Sequence, residues 1–124
     1  MGTARHIVFL DRETLPEFTT VRSPSFEHEW TNHQRSDASQ VIERAADAEI
    51  IVTNKVPLNA DTIAALPHLK MIAVAATGTN VIDLETCRAR GIIVSNIRGY
   101  ATSTVPAQPI ALFLALCRSL LHYP

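Results

Sequence analysis

Apolar residues in this chain fall into short unbroken runs at 7–10 (Ile-Val-Phe-Leu), 50–52 (Ile-Ile-Val), 71–76 (Met-Ile-Ala-Val-Ala-Ala) and 92–94 (Ile-Ile-Val). Runs without polar alternation are expected of parallel strands covered on both faces. A further stretch, 25–31, predicts an edge strand. Helical signals lie between the runs. Asp37 followed three residues later by Gln40 predicts a capping-box start for a helix reaching Ala46, with Val41, Ile42 and Ala45 as its apolar side. Asn59 is placed to cap a short helix that Pro67 closes. Residues 83–90 predict a third helix, with an acid at its start, Arg88 and Arg90 at its end, and Gly91 as a left-handed stop. The alternation predicts an α/β fold: a flavodoxin-like, doubly wound, parallel five-stranded sheet with right-handed crossovers. A C-terminal connecting helix follows it.

That last helix differs in kind from the others. Residues 110–117 are eight consecutive apolar positions, and at about 100° per residue they cannot all face one neighbour. Burial on both sides is expected. Pro106 suits a first helical turn, whereas Pro109 would remove an intrahelical donor, so the regular helix is expected to begin at Pro109 after an irregular entry.

Length and charge narrow the function. At 124 residues there is room for one domain, and 11 basic against 12 acidic residues give a formal charge of -1. No basic patch suggests nucleic acid or an anionic membrane as a partner, and no run is long enough to span a bilayer. The N-terminus carries no secretory-signal pattern, so a cytoplasmic protein is expected. Cys87 and Cys117 lie in helical patterns without CxxC or Cys/His spacing. They are read as buried reduced thiols, with a disulfide as the minor alternative, and no metal site is expected.

In an open parallel sheet, ligands bind beyond the carboxyl ends of strands, which singles out Ala75-Ala76-Thr77-Gly78-Thr79-Asn80. Gly78 permits close backbone approach or positive φ, and the N–H groups around it suit a carboxylate. A simple strand-to-helix turn is the rival reading. Lys55 follows the preceding strand and either rims the same cleft or is merely solvated. Tyr100 either caps the cleft or packs with a wet hydroxyl.

The segments 70–83, 91–100 and 110–116, with Val8-Phe9-Leu10-Asp11 and Ile50-Ile51-Val52-Thr53-Asn54-Lys55, resemble in order and spacing the D-isomer-specific 2-hydroxyacid dehydrogenases, in particular the glycerate dehydrogenase and hydroxypyruvate reductase type. The resemblance implies a substrate (catalytic) domain over residues 1–100 and a connecting helix over 101–124, with the nucleotide-binding domain absent. It implies interconversion of a small 2-hydroxy acid and a 2-oxo acid, glycerate and hydroxypyruvate favoured, with NAD or NADP as hydride donor in the complete enzyme. In the family a histidine supplies the proton, a carboxylate orients it and an arginine polarises the carbonyl. None of these catalytic groups has a matching position here: His6, His28, His33, His68 and His122 do not correspond, and Arg98 is not expected to be the catalytic arginine. Main-chain N–H groups of Thr77 and Gly78 would grip the substrate carboxylate.

Thr104 lies where the family approaches the cofactor, although a helix N-cap is an equal role. The glycines at 2, 78, 91 and 99 cannot form GxGxxG after a strand, so no bound cofactor and no turnover are expected of this chain. Where the glycerate dehydrogenase branch runs Val-Pro-Glu-His, this chain has Val105-Pro106-Ala107-Gln108 and then Pro109, so the family's hinge geometry and a cofactor contact from Thr104 do not carry over directly. The connecting helix is expected to mediate homo-oligomerisation through residues 109–121. A non-enzymatic ligand-binding or dimerisation module of the same superfamily is the competing reading. A phosphoacceptor receiver domain would share the topology, but Asp11 stands without the acidic neighbours such a site needs.

Overall fold

The computed structural model describes residues 4–120 and 122. Strands β1 (Arg5–Phe9), β2 (His28–Asn32), β3 (Ile50–Thr53), β4 (Met71–Val74) and β5 (Ile93–Asn96) form one sheet in the order β2-β1-β3-β4-β5. Every pairing is parallel, with Val8, Ile51, Ile72 and Val94 in one row across the four inner and right-hand strands. This is the α/β, flavodoxin-like order expected from the sequence. The stretch at 25–31 contributes the edge strand β2, three residues later than its first expected position.

Right-handed crossovers from β2 to β3, β3 to β4 and β4 to β5 all move in the same direction across the sheet. They therefore place α1 (Val41–Arg44), α2 (Ala60–Ala64) and α3 (Leu84–Ala89) on one face. There, Val41, Ala45, Ile63, Leu66 and Cys87 join Val8, Leu10, Ile51, Ile72 and Val74 in a single buried cluster. The opposite face is covered unevenly. Ile7 and Phe9 are buried, but Ile50, Val52, Met71 and Ala73 are only half-buried, and Ile93 is 64% exposed. Full cover on both faces, expected from the unbroken apolar runs, is thus confined to β1. The connection between β1 and β2 crosses in the other direction and is mostly loop, too narrow to shield β4 and β5.

Local signals account for the helix ends. The Asn59 side chain accepts the Thr62 N–H at 2.8 Å, the Asp83 side chain accepts the Thr86 N–H at 2.8 Å, and Gly91 takes φ +69° just past α3. The Gln40 side chain accepts the Asp37 N–H at 3.0 Å, but the helix that follows is only a 3-10 turn (Ala38–Gln40) leading into α1. Of its expected apolar side, Val41 and Ala45 are buried while Ile42 is 44% exposed. At about 100° per residue Ala45 returns close to the direction of Val41, whereas Ile42 is turned about 100° away from it and off the sheet.

Helix α4 (Thr104–Cys117) departs most from expectation. It runs without interruption through Pro109 rather than starting there. Bonds from the Val105 N–H to Ala101 and from the Ala107 N–H to Ser103 extend the helical entry backwards, and the carbonyl left without a donor by Pro109 lies on an exposed helix where water can reach it. None of its residues is buried, and Ile110, Leu112, Phe113, Leu114 and Leu116 are between 53% and 73% exposed. Cys117 is exposed on this helix, contrary to the expected burial, while Cys87 is buried in the core; both thiols are free. No helix among the described residues is long and apolar enough to cross a membrane.

Candidate carboxylate-binding site

The register places the candidate residues along the carboxyl edge of the sheet. Thr53 pairs with Val74, and Val74 with Asn96. Lys55, Thr77 and Tyr100 accordingly follow the ends of three neighbouring strands. Thr104 sits apart as the first residue of α4, and the N-cap is Ser103, which makes no side-chain capping bond.

Two loops dominate this edge. The loop after β4 is tied on one side by the Ile97 N–H to the Ala76 carbonyl at 3.0 Å and by Asn96 Nδ2 donating to the Thr77 carbonyl at 2.6 Å. Further along, the Ile82 N–H donates to Thr79 at 3.0 Å. The N–H groups of Thr77, Gly78, Thr79 and Asn80 donate to no acceptor among the described residues. Thr77, Gly78 and Asn80 are exposed. A row of unpaired main-chain donors open to solvent is chemically suited to an anion, and a carboxylate can accept from two of them at once. Gly78 does not use positive φ; of the two freedoms its type offers, only close approach is relevant. A Cβ built there would meet Asn80 Oδ1 at 3.0 Å, so even a methyl group would press on the side chain bordering the loop.

The loop after β3 is organised by a residue that the sequence presents only as an isolated acid. Asp11, at the end of β1 and 3% exposed, accepts the N–H groups of Asn54 (2.9 and 3.1 Å), Lys55 (2.6 Å) and Val56 (3.3 Å). The Thr53 hydroxyl donates to the Val56 carbonyl across the same turn at 3.2 Å. Three consecutive donors on one buried carboxylate form a filled anion nest, which leaves the Lys55 ammonium, and not its backbone, as the group this loop offers to solvent. An acid just past the end of β1, the sheet neighbour of β3, was the only available signal.

The two loops are joined lower down. The Leu58 N–H donates to Val81 at 2.8 Å and the Asp83 N–H to Leu58 at 3.0 Å, forming a parallel bridge between Leu58 and Ile82. The side chains themselves are less closely gathered. Lys55 lines a depression with Asp11, Ser36 and Asp37, whereas the depression beside the β4 loop is lined by Thr79, Arg88, Asn96 and Arg98. Tyr100, 62% exposed, borders neither.

The same edge does not fit a dinucleotide. Pyrophosphate binding needs a glycine-rich turn opening onto uncapped helix N-terminal donors. Here the nine residues 75–83 separate β4 from α3, and α3 begins with the Asp83 carboxylate already on its Thr86 donor. That contact draws the Asp83 carboxyl below the usual carboxylate range, with the backbone bond from Thr86 as the main cause. A fixed negative charge stands where a phosphate would have to sit. Among the described residues, no group of three or more His, Cys, Asp or Glu is arranged to hold a metal ion.

The carboxyl edge of an open parallel sheet thus presents a row of unpaired main-chain donors among the described residues. Comparison with known proteins places the chain more narrowly. The description "D-isomer specific 2-hydroxyacid dehydrogenase, catalytic domain" matches residues 7–106, and the chain belongs to this family. It is 47% identical over 120 residues to a glycerate dehydrogenase of Methylorubrum extorquens, an alignment covering 96% of this chain and 38% of that protein. To a putative 2-hydroxyacid dehydrogenase of Haemophilus influenzae it is 46% identical over 114 residues, covering 92% of this chain and 36% of the relative. The fold is shared with an NADPH-dependent glyoxylate/hydroxypyruvate reductase from Sinorhizobium meliloti solved with NADP and malonate, at a TM-score of 0.65 and 25% identity, over 91% of this chain and 34% of that one. The chain therefore spans little more than a third of the length of these relatives.

Proposed function

We propose that this chain supplies the substrate-carboxylate grip of an NAD(P)-dependent oxidoreductase that interconverts D-2-hydroxy acids and 2-oxo acids in the cytoplasm, with glycerate and hydroxypyruvate as the favoured pair. The observation that carries the reading is the set of unpaired N–H donors from Thr77 to Asn80 at the carboxyl edge of β4, inside the segment matched to the family. Thr77 and Gly78 hold the carboxylate through their main chain, Lys55 adds a cation from the neighbouring strand end, and Tyr100, exposed beyond β5, would have to move to close the outer side. Thr104 faces the cofactor side in this arrangement. The relatives named for glycerate and for glyoxylate or hydroxypyruvate support the choice of a two- or three-carbon acid.

Hydride transfer requires a nicotinamide held against the substrate carbonyl, and the residues of this chain do not build a site for one. The chain alone should bind the acid without turning it over. Two measurements test this together. Titration of hydroxypyruvate or D-glycerate into isotopically labelled protein should move the amide resonances of residues 77–80, and incubation with hydroxypyruvate and NADH or NADPH should leave cofactor absorbance unchanged. Shifts confined to the amino edge of the sheet would refute the site, and protein-dependent oxidation of the cofactor would refute the division of labour.

The exposed apolar surface of α4 favours a second role for the same chain, as an association module. Segment 109–121 would pair with a second copy, burying what its own sheet leaves open; Leu121 lies outside the described residues. This role is compatible with substrate binding.

A further inference from the structure

Main-chain donors bind an anion only if they point at it, and a peptide unit in a loop is free to face either way. The Thr77–Gly78 unit is not free. Its carbonyl is held by Asn96 Nδ2 at 2.6 Å, reaching across from β5. The described chain contains no cis peptide bond, so within this planar unit the Gly78 N–H is directed opposite to the Thr77 carbonyl. It therefore points away from Asn96 and β5. The neighbour of β4 on the other side is β3, with the Asn54–Lys55 loop that Asp11 fixes.

We propose that Asn96 is a positioning residue: by donating to the Thr77 carbonyl it sets the direction of the Thr77–Gly78 peptide and presents the Gly78 N–H to an incoming substrate carboxylate. Asparagine suits this task where aspartate does not. Its amide nitrogen donates, whereas a carboxylate would repel the Thr77 carbonyl and favour the reversed peptide, with the carbonyl oxygen facing the site and the donor withdrawn. Strand register makes the contact available. Asn96 pairs with Val74, three residues before Thr77, so the last side chain of β5 lies beside the first turn of the β4 loop. Asn96 touches no substrate in this scheme, and the inference rests on the carboxylate-grip reading for its functional meaning.

The four glycines of the full chain allow the peptide to be watched directly. In glycine-labelled protein, residual dipolar couplings report the direction of the Gly78 N–H, with Gly91 and Gly99 as internal references. The Asn96→Asp variant should reorient the Gly78 vector and leave the references unchanged, and Asn96→Ala should broaden or average it. Wild-type-like orientation in both variants overturns the proposal. A measurement on the wild type alone guards against a variant that does not fold: a through-hydrogen-bond scalar coupling between the Asn96 side-chain nitrogen and the Thr77 carbonyl carbon is expected, and its absence also overturns the proposal.

D-glycerate titration then separates this idea from the reading beneath it. In the wild type the Gly78 amide should move downfield, and Asn96→Asp should weaken binding by about tenfold or more, the scale of losing one hydrogen bond to a charged group. Reorientation in the variant, together with no wild-type response to D-glycerate, would uphold the positioning role and refute the carboxylate grip. Undiminished affinity in a variant whose peptide has turned would refute the role of the Gly78 donor.

Discussion

Replacing Asp11 with alanine removes the acceptor on which the Asn54, Lys55 and Val56 N–H groups converge. The cost depends on which donors can find water instead. Lys55 is exposed and rehydrates freely, Asn54 is half-buried, and Val56 is 5% exposed. One to two donors are thus left without a partner, each costing about 1–3 kcal/mol. Removing a buried carboxylate also recovers part of its own desolvation, which holds the net loss to about 2–4 kcal/mol. That is a large share of the roughly 5–15 kcal/mol by which domains are usually stable. Urea unfolding followed by the fluorescence of Trp30, the single tryptophan, measures it from β2, the strand paired with β1. Asp11→Asn should lose less than Asp11→Ala, because one amide oxygen still accepts while the amide nitrogen meets the donors. A loss below about 0.5 kcal/mol in Asp11→Ala would show that the loop holds its shape without the carboxylate, and the account of the filled nest would be wrong.

Two other consequences are open to direct test. The α4 side chains forgo about 1.5–3 kcal/mol each while they remain in water. The wild type should therefore self-associate at micromolar concentration, and a Phe113→Glu, Leu116→Glu double variant should be monomeric by light scattering with an unchanged urea midpoint; a monodisperse wild-type monomer at high micromolar concentration contradicts this. The Asp83 carboxyl is held below its ordinary range by the Thr86 N–H. Its contribution to α3 is consequently complete above the unfolded value of about 3.9 and lost as the pH falls through the lower folded value. Asp83→Asn retains a capping oxygen but does not titrate. The stability advantage of the wild type over this variant should shrink on acidification below about pH 4, and a constant advantage down to about pH 2.5 would count against the cap.

What the sequence determined by itself is what local physics can encode. The unbroken apolar runs marked the inner strands, and Asn59, Asp83 and Gly91 marked helix ends because capping joins residues only a few positions apart. The strand–helix alternation and the family resemblance together pointed to the flavodoxin-like order that the sheet has. The family was legible for a related reason: the Thr77–Gly78 loop lies in one continuous segment. Tertiary structure decided whatever joins distant segments. Asp11 meets Asn54 across 43 positions and Asn96 meets Thr77 across 19, and neither pairing leaves a periodicity or spacing to read. It also decided exposure. The run at 110–117 demands cover, yet whether cover exists depends on where the helix lies relative to the sheet, and α4 lies with its apolar side chains in solvent. Ile42 and Cys117 are exposed on the same ground, since a side chain's type states its preference for burial while only the packing of other elements grants it.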